Sequence, residues 1–161
     1  MLEPLYQVRP ARLEDVTQII AAIGALLGEL RGTTDTSLPT GAEITCARII
    51  DGRAIGAIFV AYLPAEQASL IGVIALTIQE AIHVGGPYVL IQDLLVHPHY
   101  RSHRVGAGLI GAAETYCRER KLTNLEVCLP RHHFPNLPRT YHFYESCGFA
   151  EIGPRMRKEI Q

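Results

Sequence analysis

One stretch limits what this chain can fold into. Residues 88–96 read Tyr-Val-Leu-Ile-Gln-Asp-Leu-Leu-Val, an apolar run broken only by Gln92 and Asp93. Such a run fits a strand covered on both faces. It is followed by a polar, basic segment, His97-Pro98-His99-Tyr100-Arg101-Ser102-His103-Arg104, and then by an amphipathic helix. Val105, Leu109, Ala112, Ala113, Tyr116 and Cys117 fall on one stripe of that helix, with Glu114, Arg118, Glu119 and Lys121 largely on the other side. Residues 88–121 thus form a strand, a basic loop and a helix, around which the remaining elements must pack.

The loop breaks a local rule. A helix N-terminus presents unpaired N–H groups and about half a positive charge. Arg101, His103 and Arg104 add more positive charge there. A bound phosphate group would resolve the conflict; a solvated basic turn that binds nothing is the alternative. Gly106, Gly108 and Gly111 also spell GxGxxG, the dinucleotide fingerprint, with Glu126 about twenty residues beyond the first glycine. The fingerprint should begin at the strand's end, where its first glycine makes the turn. Here residues 97–105 intervene, so the glycines are expected inside the helix. There they would admit a close neighbour at a propensity cost of about 1 kcal/mol each. Glu126 lies within an apolar strand rather than at its end.

The rest of the chain alternates short elements. Residues 5–9 read as a strand and residues 12–30 as a helix, with Val16, Ile19, Ile20, Ile23, Leu26, Leu27 and Leu30 at helical spacing. Asp15 sits in its first turn, where the dipole favours an acid, and Gly32 is its stop. Residues 31–40 are loop by composition. Residues 40–50 read as a second helix, with a strand as the alternative because Ile44, Ile49 and Ile50 are β-branched. Residues 54–63 and 70–79 read as two strands of a hairpin. After the central helix come a strand at 124–129, a loop at 130–137, a helix at 139–147 with Pro138 at its start and Gly148 as its stop. Strands at 149–152 and 156–160 finish the chain.

Composition sets bounds. At 161 residues, 48% hydrophobic and 19% charged, the chain suits one domain over residues 1–161 with a sizeable core. A net charge of −1 argues against a nucleic-acid partner. Cys46, Cys117, Cys128 and Cys147 are dispersed and read as buried free thiols in a reducing compartment. Acidic and polar residues interrupt the first thirty positions, and the apolar run at 54–61 is too short to cross a bilayer, which needs about 20 residues. A cytoplasmic location with no membrane partner is the expectation.

Two motifs together resemble a known family. HPHYRSHRVGAGLI is similar to the acyl-CoA pyrophosphate loop of the GNAT superfamily of N-acetyltransferases, Arg/Gln-x-x-Gly-x-Gly/Ala after a strand ending in Val-x-Pro. Arg101 takes the first place and Gly106 the last; Arg104 stands where the family usually has its first glycine, and could add a side-chain contact. RTYHFYESCGF, residues 139–149, resembles the second signature, a short helix carrying Phe-Tyr and ending in Gly-Phe. The order of the preceding elements matches as well.

The resemblance implies an α/β fold: a mixed, mostly antiparallel sheet of six to seven strands flanked by helices, splayed between the central strand and the next. It implies acetyl-CoA as co-substrate, with no metal. Leu94, Leu95 and Val96 would pair with the pantetheine arm; Arg101, Ser102, His103, Arg104, Val105, Gly106 and Ala107 would cradle the pyrophosphate. Tyr144 would lie near the thioester sulfur. As a phenol of pKa about 10 it could protonate a thiolate of pKa about 8.5 with an uphill step on the order of 2 kcal/mol. Packing the last helix is its other possible role.

Asp93 is the candidate base, since an ionisable group in an apolar strand is costly unless paired or used; pairing with an arginine is the alternative. Alternation along the strand puts Gln92 on the face opposite Asp93, where it could position water or substrate. Glu29, His132 and His133 are candidates for the acceptor side, with solvent exposure the alternative for each. His97, His99, His103, His132 and His133 lack the spacing and partners of a tetrahedral metal set. The reading is an N-acetyltransferase acting on a small-molecule or peptide amine by direct attack in a ternary complex. A non-catalytic acyl-CoA sensor and a dinucleotide-binding oxidoreductase are the rivals. A homodimer through the hairpin at 54–79 is a further expectation.

Overall fold

A computed structural model describes residues 6–64, 69–153 and 156–158. Its elements in order are β1 (Gln7–Pro10), a 3-10 turn (Leu13–Asp15), α1 (Val16–Arg31), α2 (Ala42–Ile50), β2 (Gly56–Leu63), β3 (Ser69–Ala81) and β4 (Gly86–Val96). After a second turn (Pro98–Tyr100) come α3 (Val105–Glu119), β5 (Leu125–Val127) and α4 (Leu137–Ser146). The five strands lie in the order β1-β2-β3-β4-β5. All neighbours are antiparallel except β4 and β5, which are parallel.

The central strands are covered on both faces, as the apolar run of β4 requires. One core gathers Ile74, Leu76 and Ile91 of the sheet with Leu109, Ile110 and Ala113 of α3 and Tyr144 of α4. The other gathers Val60, Val73, Ala75 and Leu95 with Ile19 of α1 and Cys46 of α2. Each buried Val, Leu or Ile among these contributes roughly 1.5–3 kcal/mol before ordering entropy is subtracted. Residues 42–50 settle as a helix: Cys46, Ile49 and Ile50, at steps of three and four, face the second core, while Ile44 is exposed. Gly32 ends α1 with φ 67°, the left-handed stop its position suggests.

β4 departs from regular alternation. Ala75 pairs with Asp93, but Leu76 pairs with Ile91, so Gln92 is an extra residue in the strand. A bulge of this kind re-aims side chains. Asp93 lies opposite Ala75 and shares the α1–α2 face with it. Gln92 donates to Thr77 Oγ1 at 2.8 Å, and Thr77 lies two residues along β3 from Ala75. Gln92 and Asp93 therefore share one face rather than taking opposite ones.

The sheet opens where expected. β5 pairs with β4 only from Val89 to Ile91, whereas β4 runs on to Val96. The strand count is lower than six to seven. Residues 149–152 form no strand, and neither do residues 156–158; the rest of the strand expected at 156–160 lies outside the described residues, as do residues 65–68 of the hairpin turn and Leu5 of the first strand. The cause is local. The Phe149 N–H bonds to the Tyr144 carbonyl at 3.0 Å and its ring packs on Tyr144, with centroids 5.3 Å apart. The chain thus folds back on α4 after Gly148, φ 87°, instead of extending beside β5.

Candidate active site

The splay holds a cavity of about 420 Å³, bounded by the end of β4, residues 100–102 and 104–107, α4 and the C-terminal half of α1. Leu94, Leu95 and Val96 line it from β4. Beyond Ile91 the backbone of this strand has no partner in β5; the Val96 carbonyl is taken by Arg101 Nε, and the edge groups ahead of it remain for a ligand.

The loop at the cavity's mouth is turned by residues other than glycine. Ser102 (φ 72°) and Arg104 (φ 60°) both adopt the left-handed conformation. That costs side-chain-bearing residues roughly 1–2 kcal/mol each. The first rung of α3 is the Gly108 N–H to the Arg104 carbonyl at 2.9 Å. Ahead of it, the N–H groups of Val105, Gly106 and Ala107 make no backbone hydrogen bond among the described residues, and all three residues line the cavity. This is the anion-binding end of a helix.

Three arginines surround that end with different duties. Arg101 donates from Nη1 and Nη2 to Glu29 at 3.0 and 2.6 Å, and from Nε to the Val96 carbonyl at 3.0 Å. Two residues assigned separately from sequence, one to pyrophosphate and one to the acceptor, are thus each other's partners. Arg104 and Arg139 line the cavity with no ion pair among the described residues. Arg139 reaches across from α4 to donate to Ser102 Oγ at 3.2 Å.

Tyr144 is only 8% exposed and lines the cavity. Its hydroxyl has no hydrogen-bond partner among the described residues, yet no buried polar side-chain atom there is unsatisfied, so the hydroxyl opens to the cavity. Burial, with a smaller contribution from Cys147, pushes its pKa well above the ordinary phenol value. The step from phenol to thiolate is accordingly steeper than an unperturbed tyrosine would give. Asp93 does not line the cavity: it is half-buried on the α1–α2 face, and its carboxylate makes no ion pair or hydrogen bond among the described residues. Burial raises its pKa.

The remaining assignments separate from the cavity. His103 is exposed, with Nδ1 3.1 Å from the Arg101 carbonyl. His132 and His133 are exposed and stack edge-on upon each other; Phe134 lines the cavity in their place. Gln92 is exposed and tied to Thr77. Thr140, Phe143 and Cys147 line it too, and the helical repeat projected from Tyr144 would have found Thr140 and Cys147. Of the thiols, Cys46 and Cys117 are buried, Cys147 is half-buried and Cys128 is exposed, so only two meet the buried expectation. Burial pushes Cys46 up to about 11 and raises Cys117 and Cys147. The described residues hold no cluster of three or more metal-ligating side chains, and no helix long and apolar enough to cross a membrane.

The GxGxxG glycines all lie within α3. A Cβ at Gly106 would meet Phe143 at 3.0 Å, and one at Gly108 would meet Tyr6 at 2.7 Å, while Gly111 has nothing within 4 Å. None forms the strand-to-helix turn that a dinucleotide site needs.

Comparison with known proteins agrees with this geometry. The model of the acetyltransferase (GNAT) family matches residues 29–149. No curated protein matches the chain by sequence. Among solved structures, a possible acetyltransferase from Clostridium difficile 630 is similar at TM-score 0.75 and 18% identity, covering 98% of each chain. An aminoglycoside acetyltransferase, meta-AAC0020, from an uncultured soil metagenomic sample is similar at TM-score 0.75 and 16% identity, covering all of each. A transcriptional regulator from Bacillus halodurans C-125 is similar at TM-score 0.76 and 19% identity, covering 96% of this chain and 99% of that one. At such identities the likeness is one of fold alone.

Proposed function

This chain belongs to the acetyltransferase (GNAT) family, and from that premise we propose that it transfers an acetyl group from acetyl-CoA to a primary amine, by direct attack in a ternary complex. The observation that carries the reading is one cavity that unites an unpaired strand edge, the free N–H groups opening α3, two uncompensated arginines and the Tyr144 hydroxyl. A pantetheine arm fits the first of these features and a pyrophosphate the next two.

The chemistry needs a neutral amine and a discharged thiolate. An ammonium near pKa 10 must lose a proton before its nitrogen attacks. Asp93, unpaired and raised by burial, is the proposed acceptor of that proton, directly or through water. The new N–C bond forms as the C–S bond breaks, and the nitrogen then sheds its second proton, which replaces the one that Tyr144 gives to the sulfur. Tyr144, held protonated by its burial, faces the departing sulfur and supplies its hydrogen bond and proton. A covalent acyl-cysteine has little support: Cys147, which lines the cavity, has its pKa raised by burial, so its thiolate is disfavoured.

Calorimetric titration with acetyl-CoA, with NAD in parallel, tests the reading. Micromolar binding of acetyl-CoA with NAD silent, followed by thiol release in the presence of an amine panel, is expected. NAD binding with acetyl-CoA silent would sink it. Binding without thiol release from any small-molecule or peptide amine would leave an acyl-CoA sensor instead.

A further inference from the structure

The strained loop is held by a residue outside the cavity. Ser102 and Arg104 adopt left-handed backbone without being glycine, and such conformers persist only where their surroundings over-determine them. At Arg104 the surroundings are specific. The Tyr6 hydroxyl, 98 residues away in sequence, donates to the Arg104 carbonyl at 2.9 Å. That same carbonyl accepts the Gly108 N–H at 2.9 Å, so both its lone pairs are engaged, one by the residue just before β1 and one by the first rung of α3. Gly108 makes the approach possible: a Cβ there would lie 2.7 Å from the Tyr6 hydroxyl and 3.1 Å from its ring. Tyr6 does not line the cavity.

We propose that Tyr6 is a positioning residue for acyl-CoA binding. Its hydroxyl fixes Arg104 in the left-handed conformation. This aims the N–H groups of Val105, Gly106 and Ala107 at the cavity without the glycine that this position usually carries. Tyr6, Arg104 and Gly108 are thus one device: the tyrosine replaces, by a tertiary hydrogen bond, the conformational freedom that a glycine would supply. The inference rests on the acetyl-CoA reading above.

A double-mutant cycle on acetyl-CoA affinity tests it, with the unligated thermal midpoint and amide exchange of residues 105–108 read alongside. Tyr6→Phe keeps the ring on Gly108 and removes only the hydroxyl. It is expected to weaken acetyl-CoA binding about three- to ten-fold, the worth of one hydrogen bond, and to speed exchange at residues 105–108. In an Arg104→Gly background, where the turn needs no support, adding Tyr6→Phe should change affinity by less than about two-fold. The cation lost with Arg104 cancels, because each comparison is made within one background. Equal losses in both backgrounds, or no loss in the wild-type background, would overturn the device. A uniform rise in exchange across the chain would show a merely structural tyrosine and overturn it too. Wild-type protein silent to acetyl-CoA would instead overturn the function on which it rests.

Discussion

At the scale of single residues, burial acts on Tyr144 and Asp93 in the same direction and with opposite consequences. Both pKa values rise. For Tyr144 this preserves the form it already has, so no loss of activity from its ionisation is expected up to about pH 10. Tyr144→Phe should lower turnover roughly 100-fold or more if the hydroxyl is the general acid; full turnover in a normally folded variant would remove the role. For Asp93 burial penalises the charged form needed at neutral pH. Its folded pKa lies above its unfolded value, so the stability it lends is present at low pH and is lost as pH rises through the folded pKa. Asp93→Asn should therefore melt higher than wild type at pH 7, with the gap closing towards about pH 4, while the acidic limb of the rate profile flattens. Equal melting points at pH 7 would show that Asp93 bears no penalty, and with it would go the physical reason for singling it out.

At the scale of elements, α3 shows what spacing can and cannot reveal. Its glycines were legible as helical, because the polar stretch of residues 97–105 leaves them no place in the turn. Two of them do admit close neighbours, Phe143 on Gly106 and Tyr6 on Gly108. Gly111 admits none, and nothing in the sequence separates it from the others, since the neighbour comes from a distant part of the chain. Gly111→Ala should then recover helix propensity of about 1 kcal/mol, a rise of roughly 2–4 °C in melting temperature for a chain of this size. Gly106→Ala must first displace the Phe143 ring and should gain less. A larger rise for Gly106→Ala would contradict the packing. The same limit hid the bulge in β4: a pattern of period two cannot announce an extra residue, so Gln92 was placed on the wrong face. The missing terminal strands have a similar cause, because Phe149 follows contacts with Tyr144 rather than its own extended tendency.

At the scale of the molecule, α1 is fastened at both ends to other layers. At its C-terminal end Glu29 takes Arg101 of the proposed pyrophosphate loop. At its N-terminal end Asp15 takes Arg9 of β1 at 2.6 and 2.9 Å and the Arg12 N–H at 2.7 Å. The first-turn acid was legible from the helix dipole; its partner was not, because a separation of six residues across a turn has no periodic signature. Asp15 is nearly buried, and the Arg9 hydrogen bonds hold its carboxyl below the ordinary range despite the opposing effect of burial. A depressed carboxylate lends stability that is present above its unfolded pKa and is lost as pH falls through the folded one. Removing one partner of a buried pair strands the other charge, at a cost of about 3–5 kcal/mol. Asp15→Asn should accordingly melt about 10 °C below wild type at pH 7, and the gap should narrow below about pH 4 as the wild-type carboxylate is titrated. A gap that stays constant from pH 7 to pH 3 would mean that the charge on Asp15 contributes nothing, and that α1 is held to the sheet by its apolar face alone.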